Sequence, residues 1–364
     1  MEKRPAISVG QMFSMLFISR MVVSMTYGTL LIGDSDIWDH LVSAPISFLV
    51  TFLLLFPIYK LFSMDKKMNL IDNLRELLGK FGWIFMLLYI AYYLIISFHT
   101  LAVFNNFILS AVNPPISLPL LSALLLSSAC YGAYKGLEAL ARTSNFILMA
   151  TLFSVIFLGI SLFSSIENIN FRPLMYDGTE SALEGAVYML SQSSCIPALA
   201  VLLPMAKGNY KLGILIWNFG VYSVFALVIF LIIGTMGDFA ATQLFPVYTA
   251  AGIGKFGSFQ HLDSLYLGIW VSGIFLKLSL FLLLAGEGVK KIFGEKARKI
   301  SIVIFSVLMA IFPFFSGKLN ILHETFITEF LFIFLLIISV VIPIFLIILK
   351  KIKNKKGSSA QVIH

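Results

Sequence analysis

The residues best suited to chemistry lie in one apolar segment, MLSQSSCIPALAVLLP, which begins at Met189. Ser191, Gln192, Ser193, Ser194 and Cys195 follow one another and Pro197 comes two positions later. Five small or polar residues wrap around more than one helical turn, so no rotation of a continuous helix hides them all from lipid. Proline has no N–H and leaves the carbonyl one turn earlier without its helical donor. Unpaired backbone at membrane depth is tolerated only against protein or a wet cavity. The segment therefore reads as a broken helix around a small polar chamber; the alternative is an ordinary kink packed against neighbours.

Ser19, Arg20, Ser24, Thr26, Tyr27 and Gly28 interrupt the first apolar run at comparable depth. Broken helices at matching positions of two halves are the sequence pointer to an inverted-repeat transporter fold, with a solute site near the midplane. A half-helix N-terminus there favours a carboxylate. Arg20 and Lys277 each sit near the middle of a span, where a charge costs about 2.5–3.5 kcal/mol to insert. No acidic residue lies at similar depth, because Glu184, Glu287 and Glu329 fall nearer span ends. Carbonyls freed by the broken helices are the expected partners, with Lys277 standing in for a bound cation or acting in gating. Snorkelling of Arg20 towards the interface and a purely structural Lys277 are the competing readings.

The third apolar run carries Tyr89, Tyr92, Tyr93, Ser97, His99 and Thr100. They form either a cavity wall or an interfacial aromatic belt with a satisfied histidine. His40, His261 and His323 lie in loops or at span ends, so His99 has no companion for a metal site. Cys130 and Cys195 fit neither a metal site nor a disulfide framework. The sequence offers no paired carboxylates, phosphate-cradling loop or nucleophile–base set, so no catalysis, cofactor or metal is expected.

The elements that must position these residues follow from composition. Of 364 residues, 59% are hydrophobic, 12% are charged and 35 are Phe; mean hydropathy is +0.96. Soluble domains carry about 25% charged residues, so a bilayer is the expected solvent. A span needs about 20 mostly apolar residues. Ten segments qualify, at 7–31, 38–62, 83–109, 118–134, 145–163, 182–205, 212–236, 265–287, 300–315 and 326–349. The first is too long for a cleavable signal and lacks a small-residue cleavage pattern.

Of the 26 Lys and Arg, 21 fall on one side of this layout. Only Arg172, Lys255 and Lys318 fall on the other, with Arg20 and Lys277 inside spans. Both termini are therefore expected in the cytoplasm. The net charge of +8 is spent on this asymmetry, and nucleic-acid binding is not expected. Residues 1–349 read as one polytopic domain and 350–364 as a basic cytoplasmic tail attracted to anionic lipid. Between spans, 69–81 places Leu70, Ile71, Leu74, Leu77, Leu78 and Phe81 on one helical face, as for a helix lying on the inner membrane surface. The stretch 237–262, with Phe245, Pro246, Tyr248, Phe256 and Phe259 among glycines, reads as a re-entrant or surface-packed lid.

Three segments carry a resemblance. They are YKGLEALARTSN at 134–145, FPVYTAAGIGKFGSFQHLDSLYLGIWVSGIFLK at 245–277 and GDSDIW at 33–38. With the ten-span layout they resemble the B-subunit family of spore germinant receptors, relatives of the amino acid–polyamine–organocation transporters. The block from Leu262 to Lys277 is the most specific part. The resemblance implies an all-α integral membrane fold of ten transmembrane helices, a 5+5 inverted repeat of the APC/LeuT-like type with discontinuous helices 1 and 6. It also implies a subunit of the spore inner membrane that acts with an A-type membrane subunit and a C-type lipoprotein and binds a small nutrient.

Carried over, the family's ligand site falls on Val22, Val23, Ser24 and Thr26 in the first span and Ser193, Ser194 and Pro197 in the sixth. Spans three and eight, with Tyr93 on the former, would face it. Related transporters commonly have a glycine-rich stretch where this chain has Val22-Val23-Ser24, a departure that bears on ligand identity and pocket size. Two other functions remain compatible with this fold: a working secondary amino acid transporter, and an assembly subunit with a vestigial pocket.

Overall fold

The computed structural model describes residues 7–24, 39–112, 117–171, 175, 178–254, 263–316 and 324–361. Each of the ten expected spans overlaps helix among the described residues. They are α1 (Val9–Ser24), α2 (His40–Met64), α4 (Gly82–Phe107), α5 (Leu118–Lys135), α6 (Leu137–Leu162), the pair α7 (Glu180–Ser191) and α8 (Cys195–Leu202), α9 (Tyr210–Met236), α11 (Asp263–Phe293), α12 (Glu295–Ser316), and finally α13 (Glu324–Leu336) with α14 (Ile342–Gln361). Among the described residues, seven of these segments are long and apolar enough to cross a bilayer. The other three expected spans fall on α1, α5 and α12. The chain is an all-α, multi-pass membrane protein.

Burial divides the helices into an inner and an outer set. In the segment that joins α7 and α8, 89% of the most apolar window is buried, against 28% for α6. The sixth expected span is therefore enclosed by protein, and α6 presents Phe146, Met149, Phe153 and Ile156 outward. Exposed apolar side chains of this kind match lipid tails. α11 is the central post, packed against α1, α4, α5, α6 and α12. α2 lies along α7, and α1 is held between α6, α9 and α11.

Two short strands fix a topological relation. β1 (Ile7–Ser8) pairs in parallel with β2 (Ala206–Lys207), with Ile7 opposite Ala206. The start of α1 and the end of α8 therefore share one face of the protein. That requires an even number of crossings between them, and the six expected spans meet the requirement.

α3 (Leu70–Leu78) is the amphipathic helix between α2 and α4. A capping box starts it: the Asn69 side chain accepts from the Asp72 amide, and the Asp72 carboxylate accepts from the Asn69 amide. Leu70, Ile71 and Leu74 are buried, but Phe81 is 71% exposed. The expected face breaks down there because Gly79, at φ +53°, ends the helix and redirects the chain. α3 is also a tie point. Lys291 Nζ reaches Asp72 at 2.6 Å, Lys350 Nζ donates to Asn73 at 2.8 Å, and Lys353 Nζ reaches Glu76 at 2.8 Å. α14 runs without interruption from the last span through the basic segment, and Lys350 and Lys353 dock on α3.

The stretch 237–262 is a surface-packed structure as far as Gly254. A 3-10 turn (Gly237–Thr242) leads into α10 (Pro246–Ile253), which packs on α9 and α11. Phe245, Val247, Ala250 and Ala251 are buried beneath it. Phe256 and Phe259 lie outside the described residues, as do Arg172, Lys255, His261, Lys318 and His323.

Candidate ligand-binding site

The sixth span is broken where the polar run predicts. α7 stops at Ser191, Gln192–Ser194 are non-helical and α8 starts at Cys195. Short polar side chains compete locally for backbone groups, which favours turns over helix. The Ser191 hydroxyl donates to the Tyr188 carbonyl at 2.7 Å, and the Ser193 amide donates to Leu190 at 2.8 Å. Pro197 falls in the first turn of α8, where its missing N–H leaves no helical bond unmade. The Ser193 carbonyl, which residue 197 would serve in a continuous helix, takes the Ile196 amide at 3.0 Å instead. Ser191, Gln192, Ser193 and Ser194 are all buried. The Ser194 Oγ has no hydrogen-bond partner among the described residues. A kink in a continuous helix is thus excluded.

Arg20 does not snorkel. It is 2% exposed, and its guanidinium donates to the Met189 carbonyl. Met189 lies in the last turn of α7, where unpaired carbonyls concentrate negative partial charge. The guanidinium carbon also stands 4.7 Å from the ring centre of Phe225 and 6.0 Å from that of Tyr222, within cation–π range. The expected partner type, a carbonyl at a half-helix end, is the one found. The aromatic partners on α9 had no signal in the sequence, because nothing in a uniformly apolar helix marks which Phe faces a cation.

Lys277, on α11, is also 2% exposed. Its Nζ is 5.9 Å from the Phe281 ring centre, and it makes no hydrogen bond or ion pair among the described residues. Cys195 and Arg20 both lie within electrostatic range of it, as does His99. The two intramembrane cations therefore converge on the start of α8.

The third span closes the other side. The Tyr93 hydroxyl donates to the Pro197 carbonyl at 3.1 Å, and its ring lies 5.8 Å from Phe281. Tyr92 is fully buried with an unpartnered hydroxyl. Tyr89 donates to Ile338 at 2.6 Å, within a π-helical turn (Ile337–Val341) that joins α13 to α14. Ser97 and Thr100 bond carbonyls of their own helix. Tyr93→Phe is expected to destabilise the protein by about 1 kcal/mol, the usual net worth of one such bond, read as a lower unfolding midpoint. An unchanged midpoint would mean that this contact does not hold α8 against α4.

The first span contributes less directly. The Val22 carbonyl, at the end of α1, accepts from Trp270 Nε1 at 3.2 Å. A cleft of about 380 Å³ beside it is lined by Ile18, Met21, Val22, Thr151 and Trp270. Of Val23 and Ser24 only the helical backbone is described, and Thr26, Tyr27 and Gly28 lie outside the described residues, as does GDSDIW. Around the α7–α8 break the structure brings together Arg20, Tyr93, Ser193, Ser194, Pro197 and Lys277. Val22 belongs to the neighbouring α1–α11 contact. Trp270, which caps α1, was visible only as part of the IW block.

The profile of a family described as spore germination protein matches residues 6–321. The chain belongs to the spore germination protein family. Spore germination protein KB of Bacillus subtilis (strain 168) is 25% identical over 308 residues, covering 81% of this chain and 80% of that protein. Spore germination protein XB of Bacillus anthracis is 24% identical over 201 residues, 53% of this chain and 55% of that protein. The family match covers α1 to α12, and so includes α1, α4, α7, α8, α9 and α11, whose residues meet at the break.

Proposed function

We propose that this protein is the B-type membrane subunit of a spore germinant receptor, which binds a small nutrient at the α7–α8 break and thereby triggers germination. In this reading the fold is ten spans in a 5+5 inverted repeat, set in the spore inner membrane with both termini in the cytoplasm. A-type and C-type subunits are its partners, and the nutrient is an amino acid or similar solute. The observation that carries the proposal is the buried break itself: a helix interrupted inside the protein, with the Ser194 hydroxyl unpartnered and two cations beside it. Unsatisfied polar groups are costly in such a place, and a polar ligand supplies what they lack. Membership of the spore germination family supports a signalling role for that ligand.

Ser193, Ser194, Pro197 and Tyr93 are the ligand contacts in this scheme, with Val23, Ser24 and Thr26 completing the wall and Val22 one contact back, against Trp270. Arg20 holds the α7 end in place. Ligand binding biases the balance between two arrangements of the scaffold, and the partner subunits read that balance.

Ser193→Leu puts a branched chain into the break. It is expected to raise the nutrient concentration needed for half-maximal germination by about tenfold or more, the scale of a 1–3 kcal/mol overpacking penalty. A dose response identical to wild type, with normal amounts of protein in the membrane, would remove the break from the ligand site. Gradient-driven accumulation of labelled amino acids in proteoliposomes would instead favour a secondary transporter.

A further inference from the structure

The intramembrane charges are not balanced alike. Arg20 has its carbonyl on α7 and two aromatic faces. Lys277 is equally buried and, among the described residues, has only the Phe281 ring at 5.9 Å. A buried ammonium without a hydrogen-bond acceptor is costly, because three donors have lost water and gained nothing. Its surroundings make the cost greater. The Cys195 sulfur lies in range of both cations and of the backbone amides of Cys195 and Ile196, which are the first amides of α8. A helix N-terminus carries positive partial charge, so Lys277 adds its charge where potential is already positive. Among the described residues, the groups within electrostatic range of Lys277 are Cys195, Arg20 and His99, with Ser194 preceding Cys195 at the start of α8; none is a carboxylate.

We propose that Lys277 is the anchor for a carboxylate on the nutrient, so that the site selects small solutes with a free carboxyl group. This rests on the reading of the α7–α8 break as the nutrient site. The carboxylate would accept from Lys277 Nζ and from Ser194 Oγ, two buried donors without partners among the described residues, and would lie at the positive end of α8. An anion there offsets an excess of positive charge. A neutral solute leaves that excess in place.

The test uses the full chain in lipid nanodiscs, with thermal unfolding followed against the standard L-amino acids and their primary amides. Wild type, Lys277→Met and Lys277→Arg are compared. At least one amino acid is expected to raise the unfolding midpoint of wild type while its amide does not. Lys277→Met should unfold at a higher temperature than wild type without solute, because it removes an uncompensated buried charge. The same variant should bind that amino acid about 10- to 100-fold more weakly, and Lys277→Arg should retain part of the affinity. Equal shifts by acid and amide, unchanged affinity in Lys277→Met, or a shift reproduced by chloride alone would each overturn the proposal. Binding of amides or neutral sugars that Ser193→Leu abolishes and Lys277→Met leaves intact would overturn it while sparing the nutrient site at the break. If no solute of any class binds, both are overturned.

Discussion

Gly185→Ala is expected to destabilise the protein by about 2–3 kcal/mol, the upper range for overpacking a tight contact. Gly185 lies on the face of α7 that packs against α2. A Cβ built there would stand 2.4 Å from Ser43 Oγ and 2.5 Å from His40 Nδ1, well inside van der Waals contact. Ser43 cannot withdraw cheaply, and His40 is 1% exposed with little room to move. Ser43 donates to the Ala182 carbonyl at 2.8 Å, and Ser47 donates to the Ala186 carbonyl at 3.3 Å. These two hydroxyls seam α2 to the backbone of α7, which is how small residues allow close helix approach in membranes. An extra methyl must part the seam, and α7 carries its C-terminal end, the edge of the proposed site, with it. Gly252→Ala is the matched control. It lies in α10 with open space around its Cβ, so the same change there should be neutral or slightly stabilising. Unfolding midpoints of the two variants in detergent would decide; similar midpoints would mean that the α2–α7 contact is looser than described.

Arg20→Met is expected to cost about 3 kcal/mol and to abolish the germination response. The loss has two parts. The Met189 carbonyl loses its charged donor and keeps only a long contact from Ser193 Oγ at 3.4 Å, and an unsatisfied buried acceptor costs about 1–3 kcal/mol. The cation–π contact with Phe225 adds about 1–2 kcal/mol when desolvated. Arg20→Lys should recover a fraction, because one ammonium reaches either the carbonyl or the ring but lacks the planar fork that serves both. The functional loss follows from position: without Arg20, α1 no longer grips the end of α7 at the break. Unfolding and germination measured on the same variants separate the two effects. A stable Arg20→Met protein with a normal response would show that Arg20 is a tolerated passenger.

The sequence made the break legible and left its partners hidden, for a physical reason. A run of serines before a proline competes with the helix within a few residues, so Gln192–Ser194 could be read locally. The partners of Arg20 lie about 170 and 200 residues along the chain, at Met189 and at Phe225 on α9. The apolar residues of α2, α4 and α9 are spread around the whole helix, so no periodicity marks the inward face. Phe225 is fully buried and Phe219 is exposed on the same helix. Lys277 shows the same limit differently. Its depth was plain from the chain, and its lack of an acceptor became visible only when α8 and α11 were side by side. Phe81 leaves the face of Leu70, Ile71 and Leu74 because the helix ends at Gly79, whose positive φ changes the direction of the chain.

The central claim is that interrupted backbone inside the sixth span makes a chamber for a small nutrient. A density map of the intact receptor, prepared with a saturating nutrient that germinates spores through this chain, tests it most directly. The account predicts new density bounded by Ser193, Ser194, Tyr93 and Lys277, at the first turn of α8. Density for the nutrient elsewhere, with these four side chains packed as they are now, would contradict it.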